Sequence, residues 1–200
     1  MKETQSAKII RLAKKLGVLR PRDMEVYGLP RTVLSRLEKK GILHREGWGL
    51  YTLAGHAPTE HQSLIQAAKR VPHGVICLLS ALQFHGVGTQ LPHEVWMAMG
   101  EKEWRPKLKT PSLRVFRFSG AALTEGVEEH KIEGVPVKVY SVAKTVADCF
   151  KYRNKIGLEV GLEALKECHR ERRCSLDDLW KYAKICRVAN VMRPYLEATA

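Results

Sequence analysis

Pro30-Arg31-Thr32-Val33-Leu34-Ser35-Arg36-Leu37-Glu38-Lys39-Lys40-Gly41-Ile42-Leu43-His44-Arg45-Glu46-Gly47-Trp48-Gly49-Leu50-Tyr51-Thr52-Leu53 decides the reading of this chain. At 100° per residue, Val33, Leu34 and Leu37 fall on one side of a helix over about Pro30–Lys40. Arg31, Thr32, Ser35 and Lys39 fall opposite, with Arg36 on the flank and Glu38 to the side. Pro30 suits a first helical turn, and Gly41 ends the helix. The polar face carries donors and no carboxylate, the chemistry a DNA recognition helix needs. Arg grips a guanine edge bidentately, while Ser, Thr and Lys suit phosphates or mixed contacts. Two short extended runs then flank the turn-prone Glu46-Gly47, which predicts a hairpin tipped by Arg45 and Trp48.

Upstream, Ile9, Leu12, Ala13 and Leu16 share one face of a helix over Ser6–Leu16. Lys8, Arg11, Lys14 and Lys15 lie on its other side, and Gly17 closes it. A short second helix starts around Leu19–Asp23, and Gly28-Leu29-Pro30 is a turn. Three short helices and a wing read as a winged helix-turn-helix DNA-binding domain over residues 1–55. In that reading Arg31, Thr32, Ser35, Arg36 and Lys39 face the major groove. Arg45 reaches the adjacent groove or backbone, and Trp48 either does the same or packs the hairpin. Lys14 and Lys15, with Lys8 and Arg11, supply positive potential or touch phosphate.

The charge distribution agrees. The 200 residues carry 34 Lys+Arg against 21 Asp+Glu, a formal +13. Residues 1–58 hold +7, residues 59–140 hold +2 and residues 141–200 hold +4. The segment with the fewest residues has the largest excess, which points to a polyanion bound at one end. No apolar run approaches the ~18 residues of a membrane span, so no membrane partner is expected. The start lacks a secretory signal, which places the chain in the cytoplasm. Five cysteines (Cys77, Cys149, Cys168, Cys174, Cys186) without a CxxC pair read as free thiols, with no metal or cofactor.

After Ala54-Gly55-His56-Ala57-Pro58, a linker, residues 59–200 read as a larger α+β domain with a small mixed or antiparallel sheet and C-terminal helices. A helix is expected over Glu60–Val71, capped by Thr59, and a short one after Ser80 that ends at Gly86. Val95–Met99, Leu113–Phe118 and Val135–Tyr140 have strand character. Helices follow over Val142–Arg153 (capped by Ser141), Leu158–Cys168 and Leu176–Val188, the last opened by Ser175. Asp148 is placed to pair with Lys144 or Lys151, one turn away.

Phosphate-loop, HExxH, GxSxG and nucleotidyltransferase signatures are absent, so the chain does not read as an enzyme. The carboxylates nearest to a nuclease pattern are Glu94, Glu101 and Glu103, beside Lys102 and Lys107. A DNA-binding head fused to a nuclease, or a protein-interaction regulator without a toxin, are the rival readings. Exposed aromatics for RNA stacking are scarce outside Trp48 and Tyr51. His85 reads as a hydrogen-bonded histidine at a helix end rather than an acid or base.

Three stretches carry a resemblance. One is Gly41-Ile42-Leu43-His44-Arg45 with Gly49-Leu50-Tyr51-Thr52-Leu53. The second is Ile76-Cys77-Leu78-Leu79-Ser80-Ala81-Leu82-Gln83-Phe84-His85-Gly86 with Thr89-Gln90-Leu91-Pro92. The third is Tyr140-Ser141-Val142-Ala143-Lys144-Thr145-Val146-Ala147-Asp148-Cys149-Phe150 with Arg153-Asn154-Lys155-Ile156-Gly157. Together, over about Ser6 to Arg193, the chain resembles the AbiEi antitoxins of type IV (abortive infection) toxin–antitoxin systems. The resemblance implies a winged head that represses its own operon at double-stranded operator repeats. It also implies a C-terminal domain that counters a nucleotidyltransferase-like toxin without forming a stable complex with it.

Overall fold

The computed structural model describes residues 4–45, 49–55, 60–104, 106, 108 and 110–198. The chain is α+β and divides into two compact units. The first is Met1–Arg70 together with Lys131–Pro136; the second is Val71–His130 with Val137–Ala200.

In the first unit, α1 (Gln5–Leu16), α2 (Asp23–Val26) and α3 (Thr32–Lys39) precede a two-stranded antiparallel sheet, β1 (Leu43–Arg45) and β2 (Tyr51–Leu53). Thr4 caps α1 through its hydroxyl, which accepts from the Ala7 amide. Helices α2 and α3 end alike. The amides of Gly28 and Leu29 donate to Glu25 and Met24, and those of Gly41 and Ile42 donate to Glu38 and Leu37. Gly28 and Gly41 have φ of 61° and 69°, the left-handed turn that this paired closure demands. Leu19 exchanges both backbone hydrogen bonds with Tyr51, so a single residue between α1 and α2 extends the small sheet. Ile9, Ala13, Leu19, Met24, Val33, Leu34, Leu37, Leu43 and Tyr51 make one core. These are the apolar positions of the helical faces together with the strand residues.

Helix α4 (Gln62–Arg70) belongs to the same unit. Its Lys69 is buried, donates to the Val18 carbonyl and pairs with Asp23 at 3.3 Å. Arg20 pairs with Asp23 at 2.9 Å and donates to the Lys69 carbonyl. Burial pushes the Asp23 carboxyl up, but the Arg20 hydrogen bond and the Lys69 charge outweigh it and hold it below its ordinary value. Burial pushes the Lys69 ammonium down. The Thr59 cap lies outside the described residues.

The second unit is built on a mixed five-stranded sheet in the order β5-β4-β3-β7-β6. Its strands are β3 (Val75–Ile76), β4 (Val95–Gly100), β5 (Leu113–Phe118), β6 (Val127–Ile132) and β7 (Val135–Tyr140). Strand β3 pairs antiparallel with β4 and parallel with β7, while β4 and β5 run parallel from Val95↔Leu113 to Gly100↔Phe118. Between them stand α5 (Leu78–His85) and α6 (Ala121–Thr124), followed by α7 (Val142–Lys151), α8 (Arg153–Ile156), α9 (Leu158–Arg170), α10 (Leu176–Ile185) and α11 (Ala189–Glu197). Ser141 and Ser175 cap α7 and α10 as expected. The core joins Trp96, Phe116 and Phe118 of the sheet to Val146, Phe150, Leu165, Leu179 and Met192 of the helices.

Three expectations change. Ser80 does not cap α5: the helix begins at Leu78 after Cys77, and Ser80 lies inside it. Its hydroxyl instead accepts from the Trp96 amide and donates to the Glu94 carbonyl, tying α5 to β4. Cys168 and Cys174 are not free thiols but are joined in a disulfide; Cys77, Cys149 and Cys186 are free and buried. The region after Cys186 is a further helix, α11, rather than an extension of α10 to Val188.

Candidate nucleic-acid interface

Every described residue proposed to touch DNA lies at the surface of the first unit. Lys8, Arg11, Lys14 and Lys15 are exposed on α1, and Arg45 is exposed at the end of β1. Arg31, Thr32, Ser35, Arg36 and Lys39 are exposed on and just before α3, whose Val33, Leu34 and Leu37 are buried. The helical period therefore sorts α3 as its sequence implies. Arg36 reaches the Ser6 hydroxyl at 3.5 Å, so the α1 and α3 basic surfaces meet there. Trp48 and the Glu46-Gly47 turn lie outside the described residues.

One part of the site was hidden in the sequence. Helix α3 presents no carboxylate on that face, yet Glu25 of α2 reaches across and forms an ion pair with Arg31. The face is thus not carboxylate-free, because the neighbouring helix supplies what α3 lacks. Both partners are more than half exposed, at 57% and 62%. Such a pair contributes little to stability, about 0–1 kcal/mol, and its arginine exchanges partners readily. Beside Glu25, Val26 and Tyr27 are exposed apolar residues, Val26 at 81%. A four-residue helix is too short for periodicity to have placed them.

The exposed side chains proposed to touch DNA are hydrogen-bond donors and cations. Guanidinium forks, an ammonium and two hydroxyls stand on one helix, with further ammoniums on its neighbour. In the second unit, Glu94 and Glu103 are engaged with neighbouring residues. Glu94 accepts from the Ser112 hydroxyl at 2.7 Å, while Glu103 accepts from the Gly100 amide and pairs with His73. Glu101 is exposed. Among the described residues no group of three His, Cys, Asp or Glu side chains is gathered as a metal site. His85 is half-buried with Nε2 2.7 Å from the Tyr140 carbonyl, and burial lowers its pKa. Asp148 pairs with Lys144 rather than Lys151, at 2.6 Å, and neither side chain is accessible to solvent. Burial raises the Asp148 pKa, which the Lys144 charge partly offsets, and the Cys186 thiol donates to its second oxygen.

The architecture defines a two-unit α+β protein in which a small helical unit with a two-stranded hairpin and a larger mixed-sheet unit are distinct. No helix among the described residues is long and apolar enough to cross a membrane. No family model matches the chain, and neither does a curated protein. Among solved structures, the crystal structure of the RV2827C protein from Mycobacterium tuberculosis is similar, with a TM-score of 0.60 and 14% sequence identity. The similarity covers 92% of this chain and 72% of that one, and at this identity it is a likeness of fold.

Proposed function

We propose that this chain is a sequence-specific DNA-binding repressor whose first unit is a winged helix-turn-helix. The observation that carries the reading is the order α1, Leu19 bridge, α2, α3, β1, β2, with the exposed residues of α3 all cationic, hydroxylic or neutral apart from the half-buried Glu38. In that order α3 is the recognition helix, α2 the helix that crosses the backbone, and the β1–β2 hairpin the wing. Arg31 reads a base edge. Thr32, Ser35, Arg36 and Lys39 make mixed base and phosphate contacts, and Arg45 of the wing, with Lys14 and Lys15 of α1, contacts the flanking backbone. The resemblance to AbiEi antitoxins extends the proposal: the operator is a repeat upstream of the chain's own operon, and the second unit opposes a nucleotidyltransferase-like toxin.

Fluorescence anisotropy with a labelled duplex from the upstream region, against random duplex of equal length, tests the DNA reading. Arg31→Ala should cost about 1–3 kcal/mol on the upstream duplex and relax discrimination there. An equal loss on both duplexes would reassign Arg31 to phosphate. No preference of the unaltered protein for any upstream fragment would remove the repressor reading. Co-expression with the adjacent gene product, scored by growth, tests the antitoxin role separately.

A further inference from the structure

Strand β5 ends the five-stranded sheet, and among the described residues no strand pairs with its outer edge. Its register with β4 is regular along all six residues, from Leu113 to Phe118. The Val95 amide donates to Ser112, so Ser112 and alternate residues after it direct their backbone groups at β4. Leu113, Val115 and Arg117 therefore direct theirs outward. Tyr152 supports this assignment, since its hydroxyl donates to the Arg117 carbonyl at 3.1 Å. No described residue accepts from the Leu113, Val115 or Arg117 amide, although Leu113 is itself buried.

Cations gather around strand β5, while Glu94 accepts from the Ser112 hydroxyl at its start. Arg114 sits 4.5 Å above the Trp96 ring, which stacks on Phe116 at 5.0 Å. Lys155 lies 5.9 Å from Phe116 and 5.6 Å from Tyr152, and Lys151 lies 5.4 Å from Phe118. No carboxylate forms an ion pair with Arg114, Lys151 or Lys155 among the described residues. Aromatic faces attract these charges without neutralising them. Trp96, Phe116 and Phe118 are buried, so their rings are not available to stack on nucleobases. An extended segment with acidic side chains complements both, its carbonyls accepting from the amides and its carboxylates pairing with the cations.

We propose that the β5 edge is a docking site for an acidic peptide segment of a partner protein. The segment adds as a sixth strand: its carbonyls accept from the Leu113, Val115 and Arg117 amides, and its carboxylates pair with Arg114 and Lys155. Main-chain hydrogen bonds supply affinity and the cations supply selectivity, as in other strand-addition complexes. The site lies on the second unit and is independent of DNA binding by the first.

The test is NMR on the full chain, titrated with a short peptide of alternating Glu and Val. Exchange of the Leu113, Val115 and Arg117 amides should slow by about tenfold at saturation. A Lys/Val peptide, and the Glu/Val peptide N-methylated at alternate amides, should both leave them unchanged. Arg114→Glu combined with Lys155→Glu should weaken the Glu/Val peptide by about tenfold or more and leave duplex-DNA affinity as it was. Absence of binding up to millimolar peptide overturns the proposal. So does equal binding of the N-methylated peptide, which would mean a charged patch alone. Tighter binding of a single-stranded oligonucleotide, without amide protection, overturns it in favour of nucleic acid.

Discussion

Two ion pairs, one in each unit, show how differently the same chemistry is used. Arg31 and Glu25 meet on the surface of the first unit, both more than half exposed. Lys144 and Asp148 meet one helical turn apart in the second unit, both inaccessible. Water screens the first pair and leaves its arginine available to a ligand. The second pair has no water to fall back on, so each charge depends on the other and on the Cys186 thiol and Tyr140 ring beside it. A charge offered to a partner must be easy to release, whereas a charge held inside must be fully satisfied.

The largest effect should come from breaking the buried pair. Asp148→Ala strands the Lys144 ammonium in the core and should destabilise the second unit by about 3–5 kcal/mol in denaturant unfolding. Lys144→Met with Asp148→Leu should recover most of that loss, because an apolar pair of similar volume needs no partner. A double variant as unstable as Asp148→Ala would show that the pair has a role beyond mutual neutralisation.

Next in size is the acid response of the first unit. The Asp23 carboxyl is held below its ordinary 3.8. A depressed carboxyl contributes stability that is present above its ordinary value and is lost as pH falls through the lowered one. Hydrogen-exchange protection of the Leu34 and Leu37 amides should therefore fall as the solution is taken below about pH 4. Asp23→Asn should flatten that part of the profile, and an unchanged profile would put the acid sensitivity elsewhere.

The exposed pair should respond least. Glu25→Gln should change stability by no more than about 1 kcal/mol, yet tighten DNA binding, because Arg31 is then freed from its competitor. Weaker binding would mean that Glu25 holds Arg31 in its reading position. Lys39→Ala should leave the fold intact and make the salt dependence of DNA affinity shallower, by about 0.9 in the log–log slope for each phosphate that Lys39 neutralises. An unaltered slope would take Lys39 out of the proposed DNA-binding surface.

What was legible in the sequence is what short-range physics specifies. The faces of α1 and α3 follow from apolar spacing, and the Ser141 and Ser175 caps from side chains that satisfy the first amides of a helix. One-turn spacing made Lys144 and Lys151 both candidate partners of Asp148, and the structure selects Lys144. The rest required the chain to meet itself. Strand β6 reads Val-Glu-Glu-His-Lys-Ile, too polar for an apolar alternation, because it is an edge strand. The Leu19 bridge is one residue long and has no periodicity. Helix α11 contains Pro194, which counts against a helix in a local reading. The Glu25 carboxylate is invisible to a helical wheel, which places a helix's own residues and none of its neighbour's. At the candidate interface the residues of α3 were therefore readable, and their competitor was not.

The buried Lys69 has a consequence for how the small unit can travel. Its ammonium rests on the Val18 carbonyl and the Asp23 carboxylate, although it lies well beyond the hairpin in sequence. The unit also takes in Lys131–Pro136, contributed by a later pass of the chain. A head cut between the hairpin and α4 and grafted onto another protein would leave Asp23 and the Val18 carbonyl without their cation and uncover part of its own packing. Recombination that exchanges such heads between proteins must carry α4 along, so the transferable piece is larger than its three helices and hairpin suggest.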